Sequence, residues 1–98
     1  MLYAVIFEDN PDLEVDPRAR LMPAHLEFLE RNAARIRGAG PLADGAGGAA
    51  GGLWLVEAEG AEEVQALVEA DPFWPSGLRK SHRILAWRQV FAEGRRRL

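Results

Sequence analysis

The sequence predicts a small α+β domain in the order β-α-β-β-α-β, folded around one four-stranded antiparallel sheet. Three observations carry that expectation. The runs Leu2–Phe7 and Leu53–Ala58 are strongly apolar and short, as central strands are. Two other stretches place apolar residues at helical spacing, around Met22–Ile36 and Val64–Val68. Clusters of Gly, Pro and Asp separate these segments. A chain of 98 residues holds one such domain.

In the first strand, Tyr3, Val5 and Phe7 point one way and Leu2, Ala4 and Ile6 the other, so both faces want cover. Asn10–Pro17 reads as a loop. Met22, Leu26, Leu29, Ala33 and Ile36 step by four, three, four and three, which is a helical stripe. Asp16-Pro17 offers an N-cap and a first-turn proline. Pro23 conflicts with an unbroken helix, so a separate turn is expected at 17–21, with the main helix from Pro23 to Arg37 and Gly38 ending it. Pro41-Leu42-Ala43 is a short extended piece. Asp44–Gly52 has five glycines in nine residues and reads as a mobile hairpin loop. It lacks the lysine and hydroxyl spacing of a phosphate loop. After the Leu53–Ala58 strand, Ala61–Ala70 forms a helix burying Val64, Leu67 and Val68. Asp71-Pro72 closes it, Phe73–Gly77 turns, and Ser81–Phe91 is the last strand. Right-handed crossovers place the first and third strands at the centre, a ferredoxin-like layout.

Charge and composition narrow the function. The net charge is −3, with five arginines against thirteen acids in residues 1–70 and seven basic residues against two acids in 71–98. That acidity argues against nucleic-acid binding, which needs phosphate neutralisation. The domain is expected to span 1–92, with 93–98 a solvated, frayed basic tail. No apolar run approaches the ~20 residues that span a bilayer, and the N-terminus reads as a strand rather than a signal peptide. No cysteine is present, so there is no thiol chemistry, and a cytoplasmic location is expected. Two histidines without cysteine make no metal-ligand spacing, and no cofactor motif occurs. Two helices cover one sheet face only. The other face would be a large apolar patch, so a C2 homodimer pairing two sheets is expected.

These segments together resemble the YCII-related family of the dimeric α+β barrel superfamily. MLYAVIFED looks like its opening strand. Arg18 followed by His25-Leu26, the turn Gly40-Pro41-Leu42, Gly52-Leu53, Asp71-Pro72-Phe73 with Gly77-Leu78, and Ile84 with Trp87 match its pattern in order. Met22 stands where many relatives carry an arginine, and Gly52 where a serine is usual.

The resemblance implies a His25–Asp71 dyad as the reactive centre. The residue types suit it. On a 100° wheel His25 falls about 60° from Met22, at the edge of the apolar stripe. An aspartate bonded to one imidazole nitrogen fixes the tautomer and frees the other for proton transfer. Arg18 is a candidate for an anionic substrate group, Gly40 and Pro41 for a pocket wall, and Trp74 for an aromatic wall. Trp54 and Trp87 are expected in the core or dimer contact, and His82 is expected to be structural or exposed. The implied function is cofactor-free proton transfer on a small cyclic or aromatic compound, of lyase or isomerase type. The alternative is a non-catalytic binding or regulatory module using the same cleft.

Overall fold

The first strand, β1, runs from Leu2 to Asp9 in the computed structural model, which describes residues 1–98. It is followed by α1 (Arg18–Arg31), β2 (Ile36–Ala43), β3 (Ala49–Glu57), α2 (Ala61–Ala70) and β4 (Arg79–Ala86). A 3-10 turn, Trp74–Ser76, joins α2 to β4. The sheet is antiparallel in the order β2-β3-β1-β4, so β1 and β3 are central as expected. Val5 pairs with Trp54 and Tyr3 with Val56, and these side chains share the face on which both helices pack. Phe7, Phe28, Ile36, Val64, Leu67 and Val68 complete the core. Each such burial contributes about 1.5–3 kcal/mol before the entropy of ordering is set against it.

The helix α2 has the predicted bounds and buries the predicted Val64, Leu67 and Val68. Its first turn carries Glu62 and Glu63, which complement the positive end of the helix dipole. The helix α1 differs from its expectation. It is a single segment that passes through Pro23 and stops at Arg31. The N–H that Pro23 lacks would have met the carbonyl of Ala19, and both residues are exposed, so water can satisfy that carbonyl. Asn32 terminates the helix, donating from its side chain to the Phe28 carbonyl at 2.8 Å. The buried positions are His25 and Phe28, flanked by half-buried Met22 and Leu29. Leu26 is 48% exposed, so the stripe is rotated by about one residue. Ile36 is buried, but as a strand residue opposite Val56. Gly38 lies within β2, beside a register shift, and ends no helix.

The glycine-rich hairpin is shorter than expected. Asp44 closes it, accepting at one oxygen from the N–H groups of Ala46 and Gly48, both at 2.8 Å. β3 then starts at Ala49 and absorbs Gly51 and Gly52. Gly51 has φ +93°, and a Cβ there would lie 2.0 Å from the Phe7 carbonyl oxygen. No side chain fits, because β1 and β3 approach too closely.

The last strand ends at Ala86, not Phe91. Beyond it, β5 (Phe91–Ala92) and β6 (Arg95–Arg96) form a small hairpin, and the Arg97 N–H donates to the Val90 carbonyl at 2.9 Å. The basic end is solvent-exposed as expected, but hydrogen-bonded into this hairpin rather than frayed. Neither helix is long and apolar enough to cross a membrane.

Gly51→Ala is expected to destabilise the fold by at least about 1–3 kcal/mol, from the strained φ together with the clash on the Phe7 carbonyl oxygen. Urea unfolding would read this as a lower midpoint at unchanged slope. Gly45→Ala, which meets nothing within 4 Å, is the control and should shift the midpoint little.

Candidate active site

The site begins where α2 ends. Pro72 disfavours helical geometry at Asp71, which adopts φ −67°, ψ 134°. The Asp71 carboxylate then folds over the next turn, and its Oδ1 accepts the Phe73 N–H at 3.1 Å. This local Asx-type turn leaves the carboxylate 1% exposed inside the domain. From α1, His25 meets it, with Nδ1 2.8 Å from Oδ1. The imidazole also packs on Phe73, ring centres 4.4 Å apart.

A third charged group completes the cluster. Arg79 Nη2 lies 2.8 Å from Asp71 Oδ2, and the Arg79 side chain is only 8% exposed. The contact is ionic and off the line of a well-directed hydrogen bond, since Oδ2 has no hydrogen-bond donor. Arg79 arrives there because of a bulge. Phe7 pairs with His82 and Glu8 with Ser81, but Asp9 pairs with Arg79, so Lys80 is the extra residue on β4. An unbroken ladder would turn Lys80 inward and Arg79 outward. Instead Lys80 reaches out to Glu8, and the Arg79 guanidinium stacks 3.9 Å over the Phe7 ring.

Burial by itself would raise the Asp71 carboxyl. The His25 hydrogen bond, the Phe73 N–H and the Arg79 charge outweigh it and hold the group below the usual carboxylate range. An ionised carboxylate only accepts, so Nδ1 of His25 carries the proton and donates. The free nitrogen of the neutral ring is then Nε2. Burial pulls the Arg79 guanidinium below its usual value against the opposing pull of Asp71. It stays cationic in the working range.

His25 and Arg79 open onto a cavity of about 120 Å³, walled also by Phe7, Trp54, Phe73 and Leu78. Its size is on the scale of the roughly 150 Å³ that holds one benzene ring. Arg18, Gly40 and Pro41 line it, together with Met22 and Gly52. Arg18 is tied on both terminal nitrogens, at 2.7 Å to Asp9 and 2.7 Å to Asp16. Trp74 lies outside this lining. The 3-10 turn directs it outward, 41% exposed, edge-on to His82 at 5.7 Å. Trp54 supplies the aromatic wall in its place. His82 bonds Gln65 at 2.7 Å and takes no part in the cavity.

The sequence profile of the YCII-related domain matches residues 1–88. The chain belongs to the YCII-related family. It is 30% identical to Protein YciI of Escherichia coli O6:H1 over 99 residues, covering 93% of this chain and 100% of that one. The Shigella flexneri Protein YciI matches with the same figures. Among solved structures, it resembles 5-chloro-2-hydroxyhydroquinone dehydrochlorinase of Burkholderia phenoliruptrix AC1100, in complex with 2,5-dihydroxybenzoquinone. The TM-score is 0.76 at 31% identity, over 90% of this chain and 94% of that one. In this YCII-related chain, Arg79 was not found by sequence reasoning. The available signal was weak, a basic residue directly after Gly77-Leu78, and its inward direction depends on the bulge.

The depressed Asp71 carboxyl makes a pH prediction. A group lowered on folding stabilises fully above its unfolded value, ~3.9, and that contribution is lost as pH falls through the folded value. Wild type should therefore lose stability as pH falls below about 4. Asp71→Asn should be less stable at neutral pH, and the gap to wild type should narrow in acid. Chemical denaturation from neutral to acid pH measures both.

Proposed function

We propose that this YCII-related protein is a cytoplasmic, cofactor-free enzyme that moves a proton on a small cyclic or aromatic compound. The observation that carries the reading is the buried His25–Asp71 pair with its second imidazole nitrogen left free at a ring-sized cavity. Asp71 orients the imidazole and fixes its tautomer. Nε2 of His25 takes a proton from the bound substrate and returns it to a product or leaving group. Arg18 supplies positive charge at the rim, and Gly40 and Pro41 shape a wall that a small flat ring can approach. The dehydrochlorinase named above acts on a hydroxylated ring compound, which makes hydroxylated aromatics the first substrates to try.

Incubation with a panel of hydroquinones, including 5-chloro-2-hydroxyhydroquinone, followed by ultraviolet absorbance, tests the reading. His25→Gln and Asp71→Asn should each lower kcat/KM by about 10²–10⁴-fold while the fold persists. Undiminished turnover in both variants would exclude the dyad. Ligand binding without turnover, retained in His25→Ala, would mark a binding module instead.

The active unit in this proposal is a homodimer. On the sheet face away from the helices, Ala4 lies between Leu55 and Leu85, and Ile6 lies beside Leu53. Leu85 is 43% exposed on that face. Pairing two such faces removes an apolar patch from water. Light scattering at micromolar concentration should give twice the 10.8 kDa chain mass. Leu55→Asp should yield the monomer mass.

A further inference from the structure

We propose that Arg79 is the anion-binding residue of the cavity, its guanidinium donating to a carboxylate, phenolate or enolate oxygen of the ligand. The inference rests on the cavity being the reaction site and deepens that reading by naming the ligand's charge and its partner.

Two observations point to it independently. The first is an unmet donor. Nη2 of Arg79 faces Asp71, but Nη1 is buried without any acceptor, on a side chain that lines the cavity. Buried donors are nearly always satisfied, and an unpaired donor on a side chain that lines a cavity fits an acceptor supplied by a bound ligand. The second is rigidity. The guanidinium plane is fixed by Asp71 on one side and by Phe7 at 3.9 Å, with Trp54 at 5.3 Å and Phe73 at 5.6 Å. A planar, fixed fork suits recognition of an anionic oxygen. Arg18, the other lining arginine, already has Asp9 and Asp16 on both terminal nitrogens.

The charge balance agrees. With His25 neutral, Asp71 and Arg79 cancel. When Nε2 takes a proton from a substrate C–H or O–H, the bonding pair stays on the substrate as an enolate or phenolate. The site then holds one net positive charge and the ligand one negative charge. Arg79 and His25 sit on opposite oxygens of one carboxylate, so base and anion partner are held in one frame. A preorganised donor where charge develops contributes more than one that must turn to meet it.

The test compares benzoate with its neutral isostere benzamide. Both are titrated into wild type, Arg79→Lys and Arg79→Met, with heteronuclear NMR of the arginine side chains. Benzoate should shift the Arg79 guanidinium resonance in wild type and bind about tenfold or more tightly than benzamide. Arg79→Lys keeps a cation beside Asp71 and should retain part of that preference. Arg79→Met should lose it. The wild-type resonance reports on contact even if Arg79→Met fails to fold. Equal binding of the two probes, no benzoate binding, or binding that leaves the Arg79 resonance unmoved would overturn the proposal. His25→Gln separates this outcome from the enzymatic reading. It should abolish turnover yet keep the benzoate preference. An inactive wild type with an Arg79-dependent preference would sink the catalytic reading alone.

Discussion

The buried carboxylate of Asp71 is the constraint on which the rest of the site depends. It lies at the C-terminal end of α2, where the helix dipole is negative and disfavours a second negative charge. Burial adds a further penalty. Only partners can hold it there, and three elements provide them. The Phe73 N–H comes from the following turn, His25 from α1 and Arg79 from β4. Removing Arg79 leaves a buried charge short of compensation, a change that costs about 3–5 kcal/mol in comparable pairs. The carboxylate therefore ties the two helices and the edge strand together while it orients the imidazole.

Sheet irregularities decide what that carboxylate meets. The bulge at Lys80 reverses the side on which Arg79 emerges, and Gly51 lets β3 press against the Phe7 carbonyl. The first device supplies the cation, and the second brings the Gly51-Gly52 backbone into the cavity wall. Neither follows from hydrophobic patterning, because each is a departure from the two-residue period that patterning assumes. The sheet face away from the helices carries Ala4, Ile6, Leu53, Leu55 and Leu85, with Arg83 beside Ile6.

Much of the fold was legible because its signals are local. Pro72 after Asp71 stops α2 by sterics, and the apolar steps of Val64, Leu67 and Val68 set its buried face. In α1 the leucine spacing misled. The spacing places Leu26 inside, but the buried positions are His25 and Phe28, three apart on the same face. A histidine earns a buried position only when a distant partner is present, and that partner is 46 residues away. The same reasoning explains why Trp54 rather than Trp74 lines the cavity. Trp54 is fixed by its strand register, whereas Trp74 follows the sense of a three-residue turn.

From sequence alone came the order of elements, the central place of β1 and β3, the turn that ends α2 at Asp71, and the pairing of His25 with Asp71 through resemblance. Those features rest on short-range sterics, periodicity and motif order, which the linear chain carries. The rotation of α1, the inward turn of Arg79 and the double engagement of Arg18 were decided by tertiary structure. Each depends on strand register or on charges brought together from separate elements, and such long-range geometry exists only once the sheet has formed.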